Sequence, residues 1–411
     1  MYVYLKNIKQ LHNFRDNIYV TMNNGNIKEI GKEQAKVLRL IYKEYNNIDD
    51  IVTALGKEMQ DKTIDVIRYK VNQHINSMND LLEIKFSPKN SMIRDIVLTG
   101  EEGKSFPMFV QIALTNRCLH RCKHCYANAC SIGNDINKDI LIETLRYLRG
   151  KTPNIEFTGG EPFLYKNFIE ILKKFSNNFK YTVATSGYWG KEYSNDSLRL
   201  FQLIRLTLYG YSEEEHNKFV GVDNSFKKVM KNIHKIMDAD VDLIVQTQAR
   251  SNDIEELRKF INKCVEEGIK NVIIGHVSPV GRARNLGIFQ EYNSNIIQDN
   301  IRTLKDEFNN IINIIFHEDE HSSIYKTTAN FFNCNAGKIK WHITESGIIM
   351  PCALFDRDLF KMGNIYNSDY IKLIENNYYD KLESKWYEER DNIYKYYLDR
   401  GISLDEVCDR V

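Results

Sequence analysis

The sequence predicts an α/β fold on a parallel sheet, and three observations carry that prediction. First, apolar strand-like runs alternate with helical stretches between about 107 and 312. The strands are expected at Phe109–Leu114, Asn154–Thr158, Tyr181–Thr185, Ile204–Leu208, Val241–Gln246 and Asn271–His276. Second, helices are expected between them near 138–149, 166–175, 225–237 and 253–267, with another near 294–312. Six such units are too few for a closed eight-unit barrel and enough for a partial (β/α)6 barrel. Third, the residues able to do chemistry fall just after predicted strand ends, where parallel sheets place their active sites.

Two flanking regions complete the layout, giving expected domains of 1–96, 107–312 and 313–411. The first opens with extended runs at Asn17–Val20 and Ile27–Ile30 around Asn23-Asn24-Gly25-Asn26, a hairpin signal. Helical patterns follow at about 32–46, 48–58 and 62–79, then a short strand at Leu81–Ile84. Strands with three helices in under a hundred residues look like a winged-helix module. The third region holds a hairpin, Lys338–Thr344 and Ile348–Met350, turning at Glu345-Ser346-Gly347. Beyond Asn364 it becomes helical.

Composition narrows the function. Of 411 residues, 43% are hydrophobic and 27% charged, with 56 basic against 55 acidic residues and a net charge of +1. That balance predicts no nucleic-acid or membrane partner. No apolar run approaches the roughly 18 residues that span a bilayer, and the N-terminus shows no secretion signal. A cytoplasmic location is expected.

The eight cysteines stand at 118, 122, 125, 130, 264, 334, 352 and 408. Cysteines in such a chain are metal-binding or catalytic more often than disulfide-bonded. Cys118, Cys122 and Cys125 directly follow the first barrel strand. Three thiolates can hold three irons of a 4Fe–4S cube and leave the fourth open. A zinc site with His120 or His124 as fourth ligand is the competing reading.

The C-x3-C-x2-C spacing, with aromatic His124 before the last cysteine, resembles the signature of the radical S-adenosylmethionine superfamily. A second motif, Thr158-Gly159-Gly160-Glu161-Pro162, ends the second strand. The resemblance implies a 4Fe–4S cluster on Cys118, Cys122 and Cys125, and S-adenosylmethionine lined by Gly159, Gly160, Glu161 and Pro162. Two glycines would let backbone approach a ligand closely. Weaker matches are Ser186 after the third strand, Thr207 at the fourth, and Arg282 in Ser278-Pro279-Val280-Gly281-Arg282-Ala283. Many relatives carry an arginine about a dozen residues after the fourth-strand position, near where Val220 stands here, which leaves open how the cofactor carboxylate is held. The implied chemistry is hydrogen abstraction by a 5′-deoxyadenosyl radical, fed by a one-electron reductant such as flavodoxin or ferredoxin.

Cys334, Gly347 and Cys352 resemble the start of the SPASM or twitch auxiliary-cluster domain, whose later cysteines are missing. One auxiliary cluster, 4Fe–4S or 2Fe–2S, is expected on Cys334, Cys352 and Cys408. Cys130 is expected to be a bystander and Cys264 a core residue. His317, Glu318, Asp319, Glu320 and His342 are candidate acid–base groups, with no catalytic residue singled out.

Region 1–96 resembles the leader-recognition element of ribosomal peptide pathways, which captures an extended peptide by strand addition. The hairpin edge near 17–30 and the third helix near 62–79 would carry it. A DNA-binding winged helix is the alternative, and 15 basic against 12 acidic residues there give it little support. The expectation is a maturase acting on a precursor peptide, leader and core, and closing a crosslink, with a Cys thioether first. Carbon–carbon crosslinking, epimerisation and an iron–sulfur DNA-binding sensor are the rivals.

Overall fold

The computed structural model describes residues 1–88, 96–275, 277, 280–286, 294–316, 336–355, 357–376, 378–388, 392 and 395. Two compact units emerge, Met1–Phe106 and Pro107–Val411.

The first unit contains β1 (Tyr2–Leu5), β2 (Ile8–Arg15), β3 (Asn17–Met22) and β4 (Ile27–Ile30). Helices Lys32–Tyr42, Ile48–Gly56 and Ile64–Ser77 follow, then β5 (Leu82–Lys85) and β6 (Val97–Glu102). The expected hairpin is β3–β4, with Gly25 at φ +87° in its turn. β4 forms one edge of a four-stranded sheet in the order β4-β3-β2-β6, and β1 pairs with β5. Ile18, Val20, Leu38, Ile41, Ile51 and Val71 fill the core beneath. Residues 97–106, unassigned between the expected domains, join this unit through β6, which runs parallel to β2.

Sequence pattern missed β2, and the reason is chemical. Gln10, His12 and Asn13 are buried on it, which spoils the alternation of a half-buried strand. Their partners lie far along the chain. Gln10 Nε2 donates to Thr99 Oγ1 at 3.0 Å, and Asn13 Oδ1 accepts from Arg39 Nε at 2.9 Å. His12 sits between Thr99 Oγ1 (2.9 Å) and the Phe106 carbonyl (2.9 Å), so Nε2 carries the proton and Nδ1 accepts.

Burial lowers the His12 pKa to about 4, against the raising effect of the Phe106 carbonyl. The unfolded chain therefore binds this proton more readily between about pH 6.5 and 4. Stability is full above pH 6.5 and falls as pH drops through that window, by up to about 3 kcal/mol. The denaturant midpoint should fall between pH 7 and pH 5, and His12→Phe should make that difference smaller. An unchanged pH response in the variant would rule His12 out as its source.

The second unit is built on β7 (Phe109–Thr115), β8 (Asn154–Gly159), β9 (Lys180–Thr185), β10 (Leu203–Thr207), β11 (Asp242–Gln248), β12 (Asn271–Gly275) and β13 (Asn313–Phe316). It ends with β14 (Lys340–Ile343), β15 (Ile348–Met350) and β16 (Gly363–Asn364). Among the described residues these form one sheet, ordered β13-β12-β11-β10-β9-β8-β7-β14-β15-β16. From β7 to β13 every neighbouring pair is parallel. The partial barrel expected from the alternation is therefore present, with two additions. A seventh parallel strand, β13, starts at Asn313, where the third region was expected to begin. Its Ile314 and Phe316 are buried. The expected hairpin, β14–β15, continues the same sheet, because β14 runs parallel beside β7 from Lys340↔Phe109 to Ile343↔Ile112.

Helices cover the sheet with apolar stripes at helical spacing. Helix Ser225–Asp238 buries Val229, Met230, Ile233 and Ile236, and helix Ile254–Glu266 buries Leu257, Phe260, Ile261 and Cys264. Asn137 and Asp253 cap their helices by accepting backbone N–H groups. No described helix is long and apolar enough to cross a membrane.

Candidate active site

The loop after β7 docks on the turn after β8. Thr115 Oγ1 accepts the Arg117 N–H at 3.0 Å, which turns the chain out of the strand. Gly160 N–H then donates to the Thr115 carbonyl (2.7 Å) and Glu161 N–H to the Arg117 carbonyl (2.8 Å). This contact dictates both glycines. Gly159 has φ +127°, and a Cβ there would lie 2.2 Å from the Thr115 carbonyl oxygen. A Cβ on Gly160 would lie 2.2 Å from that of Arg117. Backbone docking therefore requires both glycines, in addition to the ligand approach expected of them.

Glu161 locks the turn. Its fully buried carboxylate accepts from Thr185 Oγ1 (2.8 and 2.9 Å), Ser186 N (2.8 Å), Ser186 Oγ and Phe163 N (3.1 Å). Burial raises its pKa, and these bonds oppose the rise. Ser186 thus spends its hydroxyl on Glu161. Pro162 starts a short 3-10 turn.

The cysteine loop closes on itself. Cys118 N–H donates to the Cys130 carbonyl at 2.7 Å, and Cys118 Sγ accepts the His120 backbone N–H. Cys125 Sγ accepts from Ala129 N at 3.4 Å. Arg282 ties the loop down, its N–H on the Cys125 carbonyl (3.0 Å) and its Nη2 on the Ala129 carbonyl (2.6 Å). Its Nε is buried without a partner among the described residues. Burial pushes the Cys118 thiol up to about 12, with Glu161 adding. Burial raises Cys122 further, helped by Cys118 and Cys125.

These residues fit an iron–sulfur cluster. Three free thiols lie within electrostatic reach of one another. Burial disfavours the thiolates of Cys118 and Cys122 unless a cationic centre compensates, as iron would. Backbone N–H groups already point at two of the sulfurs. Among the described residues no three His, Cys, Asp or Glu side chains converge on a single metal-ion position. Thiols spaced around a cube have no need to. Cys130 is exposed and its Sγ turns to the Ile132 carbonyl.

Two histidines of the loop are held by Tyr209, His216 and Ser225, which no spacing signal marks in the sequence. His124 Nε2 meets Tyr209 Oη at 2.8 Å, and its ring packs on Tyr209 and Phe219. His120 Nε2 meets Ser225 Oγ at 2.7 Å. Ser225 Oγ also meets His216 Nε2 at 3.0 Å, and His216 Nδ1 accepts from Tyr209 N at 3.1 Å. His216 rides on helix Glu213–Val220, a short element with three acidic residues in its first turn, too polar to register as an amphipathic helix. Burial lowers His120 to about 3, and His124 and His216 to about 4, so all three are neutral at pH 7. Thr207 bonds the Tyr209 hydroxyl. Val220 is fully buried with Tyr209 and Phe219, and Cys122 packs against that cluster. Arg250, at the end of β11, lies over the Phe219 ring at 5.2 Å.

Of the expected auxiliary ligands only Cys352 is described; Cys334 and Cys408 lie outside the described residues, as do His317, Glu318, Asp319 and Glu320. Tyr126 is half-buried, with its hydroxyl 3.3 Å from Thr158 Oγ1. Burial pushes its phenol up to about 12, and Cys125 and Cys352 both contribute to the rise. Cys352 therefore lies within electrostatic reach of the residue next to Cys125. His342 is buried, its Nδ1 on Gln111 Oε1 at 2.8 Å, and burial lowers its pKa to about 3.

Comparison with known proteins agrees with this geometry. The Radical SAM superfamily model matches residues 112–247, the stretch from β7 through the cysteine loop to β11. The subtilosin biosynthesis protein AlbA of Bacillus subtilis is 25% identical over 303 residues, covering 70% of this chain and 64% of its own length. The sporulation killing factor maturation protein SkfB of the same organism is 26% identical over 274 residues, 64% of each chain. This chain thus spans slightly under two thirds of the length of either relative. Streptococcus suis SuiB, in a crystal structure with its precursor peptide SuiA, superposes with a TM-score of 0.59 at 14% identity. The match covers 89% of this chain and 87% of SuiB, and shows a shared fold. Residues 112–247, which carry the cysteine loop and the Gly159–Pro162 turn, are thus a Radical SAM domain.

Proposed function

We propose that this protein matures a ribosomally synthesised peptide, closing a crosslink in its core, with a Cys thioether as the first expectation. The observation that carries the reading is the trio of free thiols after β7, in a loop zipped to the Gly159–Pro162 turn. The roles of AlbA, in bacteriocin biosynthesis, and SkfB, in maturation of a killing factor, point to a peptide substrate. SuiB, also solved with S-adenosylmethionine, supports the cofactor.

Cys118, Cys122 and Cys125 would hold the 4Fe–4S cluster, and the turn Gly159–Pro162, Ser186, Thr207 and Arg282 would surround S-adenosylmethionine. When bound, the pair supplies a 5′-deoxyadenosyl radical that takes a hydrogen atom from the substrate. The chain orients these parts. Glu161 fixes the turn, and Arg282 fixes the end of the cysteine loop. The neutral histidines keep that loop free of competing charge. Crosslinking removes a second proton and an electron from the peptide. Cys352, with Cys334 and Cys408, would hold an auxiliary cluster as acceptor, and a flavodoxin or ferredoxin would supply the priming electron.

The unit Met1–Phe106 would hold the leader. Its edge strand β4 is bridged to the end of helix Ile64–Ser77 by Lys28 and Asp80 at 2.8 Å, and that helix exposes Ile64, Val66 and Tyr69. A leader added as a strand would find backbone bonds at β4 and an apolar helix face. Tyr69→Ala should weaken precursor binding about tenfold in fluorescence titration, while S-adenosylmethionine cleavage without peptide stays unchanged. Equal affinity would move the leader site elsewhere.

Product mass tests the function. Anaerobic incubation with a short precursor encoded beside the gene should yield a peptide lighter by two hydrogens. Unchanged mass with deuterium gained from solvent would mean epimerisation instead. DNA binding without peptide turnover would favour the sensor.

A further inference from the structure

We propose that His120 donates a hydrogen bond from its side chain to cluster sulfur, with its proton placed by the chain Tyr209–His216–Ser225. The direction of every bond in that chain is set by one group that can only donate, the Tyr209 backbone N–H. It donates to His216 Nδ1 at 3.1 Å, so the neutral His216 ring carries its proton on Nε2. That proton goes to Ser225 Oγ, 3.0 Å away. The single hydroxyl proton of Ser225 then faces His120 Nε2 at 2.7 Å, and Ser225 Oγ has no other acceptor among the described residues. His120 Nε2 is therefore an acceptor, and the proton of its neutral ring sits on Nδ1.

This Nδ1–H is stranded. His120 is only 2% exposed, and Nδ1 has no partner among the described residues. A buried N–H left unbonded costs about 1–3 kcal/mol, and such groups are rare enough to require an explanation. His120 stands in the loop between Cys118 and Cys122, and Nε2, not Nδ1, is the ring nitrogen spent on Ser225. In that loop Cys118 Sγ already accepts the backbone N–H of the same residue. A thiol is a weak acceptor there; a thiolate or sulfide of a cluster is a strong one. Hydrogen bonds to cluster sulfur favour the more negative, reduced state, so this donor raises the reduction potential.

The inference rests on the cluster reading of the three cysteines. Its test uses the anaerobically reconstituted full chain and an EPR-monitored redox titration. The amide nitrogen of asparagine overlays Nδ1, and that of glutamine overlays Nε2. His120→Asn should keep the wild-type midpoint. His120→Gln should lower the reduced-to-oxidised ratio tenfold at a fixed solution potential, about 59 mV for one electron. Equal midpoints in all three proteins would overturn the proposal, as would a fall in His120→Asn as large as that in His120→Gln. Should the variants lose iron, pulsed EPR on 15N-histidine-labelled wild type decides: a histidine nitrogen coupled to the reduced cluster supports the proposal, and its absence overturns it. Wild-type protein that holds no iron would instead remove the cluster reading.

Discussion

Cys118→Ala, Cys122→Ala or Cys125→Ala should each return S-adenosylmethionine cleavage to its uncatalysed background, a loss of about 10⁶-fold or more. All three thiols sit in one closed loop, and two of their sulfurs already accept backbone N–H groups. Removing any one leaves two ligands for three irons. Chemical iron analysis should show the cluster lost or degraded in all three variants. Cys130→Ser should keep wild-type iron and cleavage, because that thiol is exposed and turned to the Ile132 carbonyl. Loss of iron in Cys130→Ser, with iron retained in any of the three alanine variants, would reassign the ligands.

Gly160→Ala should be nearly as damaging, although it removes no functional group. The added Cβ would stand 2.2 Å from the Arg117 carbonyl oxygen, a backbone atom that cannot swing aside. Separation would break the bonds from Gly160 N to Thr115 and from Glu161 N to Arg117. Overpacking of this kind costs about 1–3 kcal/mol. A displacement of about 1 Å in the cysteine loop would lower turnover about a hundredfold. Gly31→Ala is the control, since it meets nothing within 4 Å and its φ is not positive. A Gly160→Ala protein with wild-type iron content and turnover would show that the docking of the two loops is not what positions the cluster.

The barrel was legible because its strands are buried on both faces and read as apolar runs; Val272, Ile273 and Ile274 are all fully buried on β12. Cys118, Cys122, Cys125 and Gly159–Pro162 were legible because close spacing in sequence is close spacing in the fold. The partners of that loop were not. His216 and Ser225 lie about a hundred residues from His120, and as single polar residues they carry no spacing signal. β2 was hidden for a related reason, its buried Gln10, His12 and Asn13 being satisfied by Thr99, Phe106 and Arg39. The continuity of β14 with β7 follows from a parallel pairing across more than 200 residues, which no local pattern announces.

Whether the loop after β7 holds a cluster with one open iron that S-adenosylmethionine occupies is read by EPR of the reduced, reconstituted wild-type protein with and without S-adenosylmethionine, followed by product analysis. A 4Fe–4S signal should appear and change on adding S-adenosylmethionine, and 5′-deoxyadenosine should form under reduction. A protein that takes up zinc instead, or a cluster signal indifferent to S-adenosylmethionine with no 5′-deoxyadenosine, would contradict this.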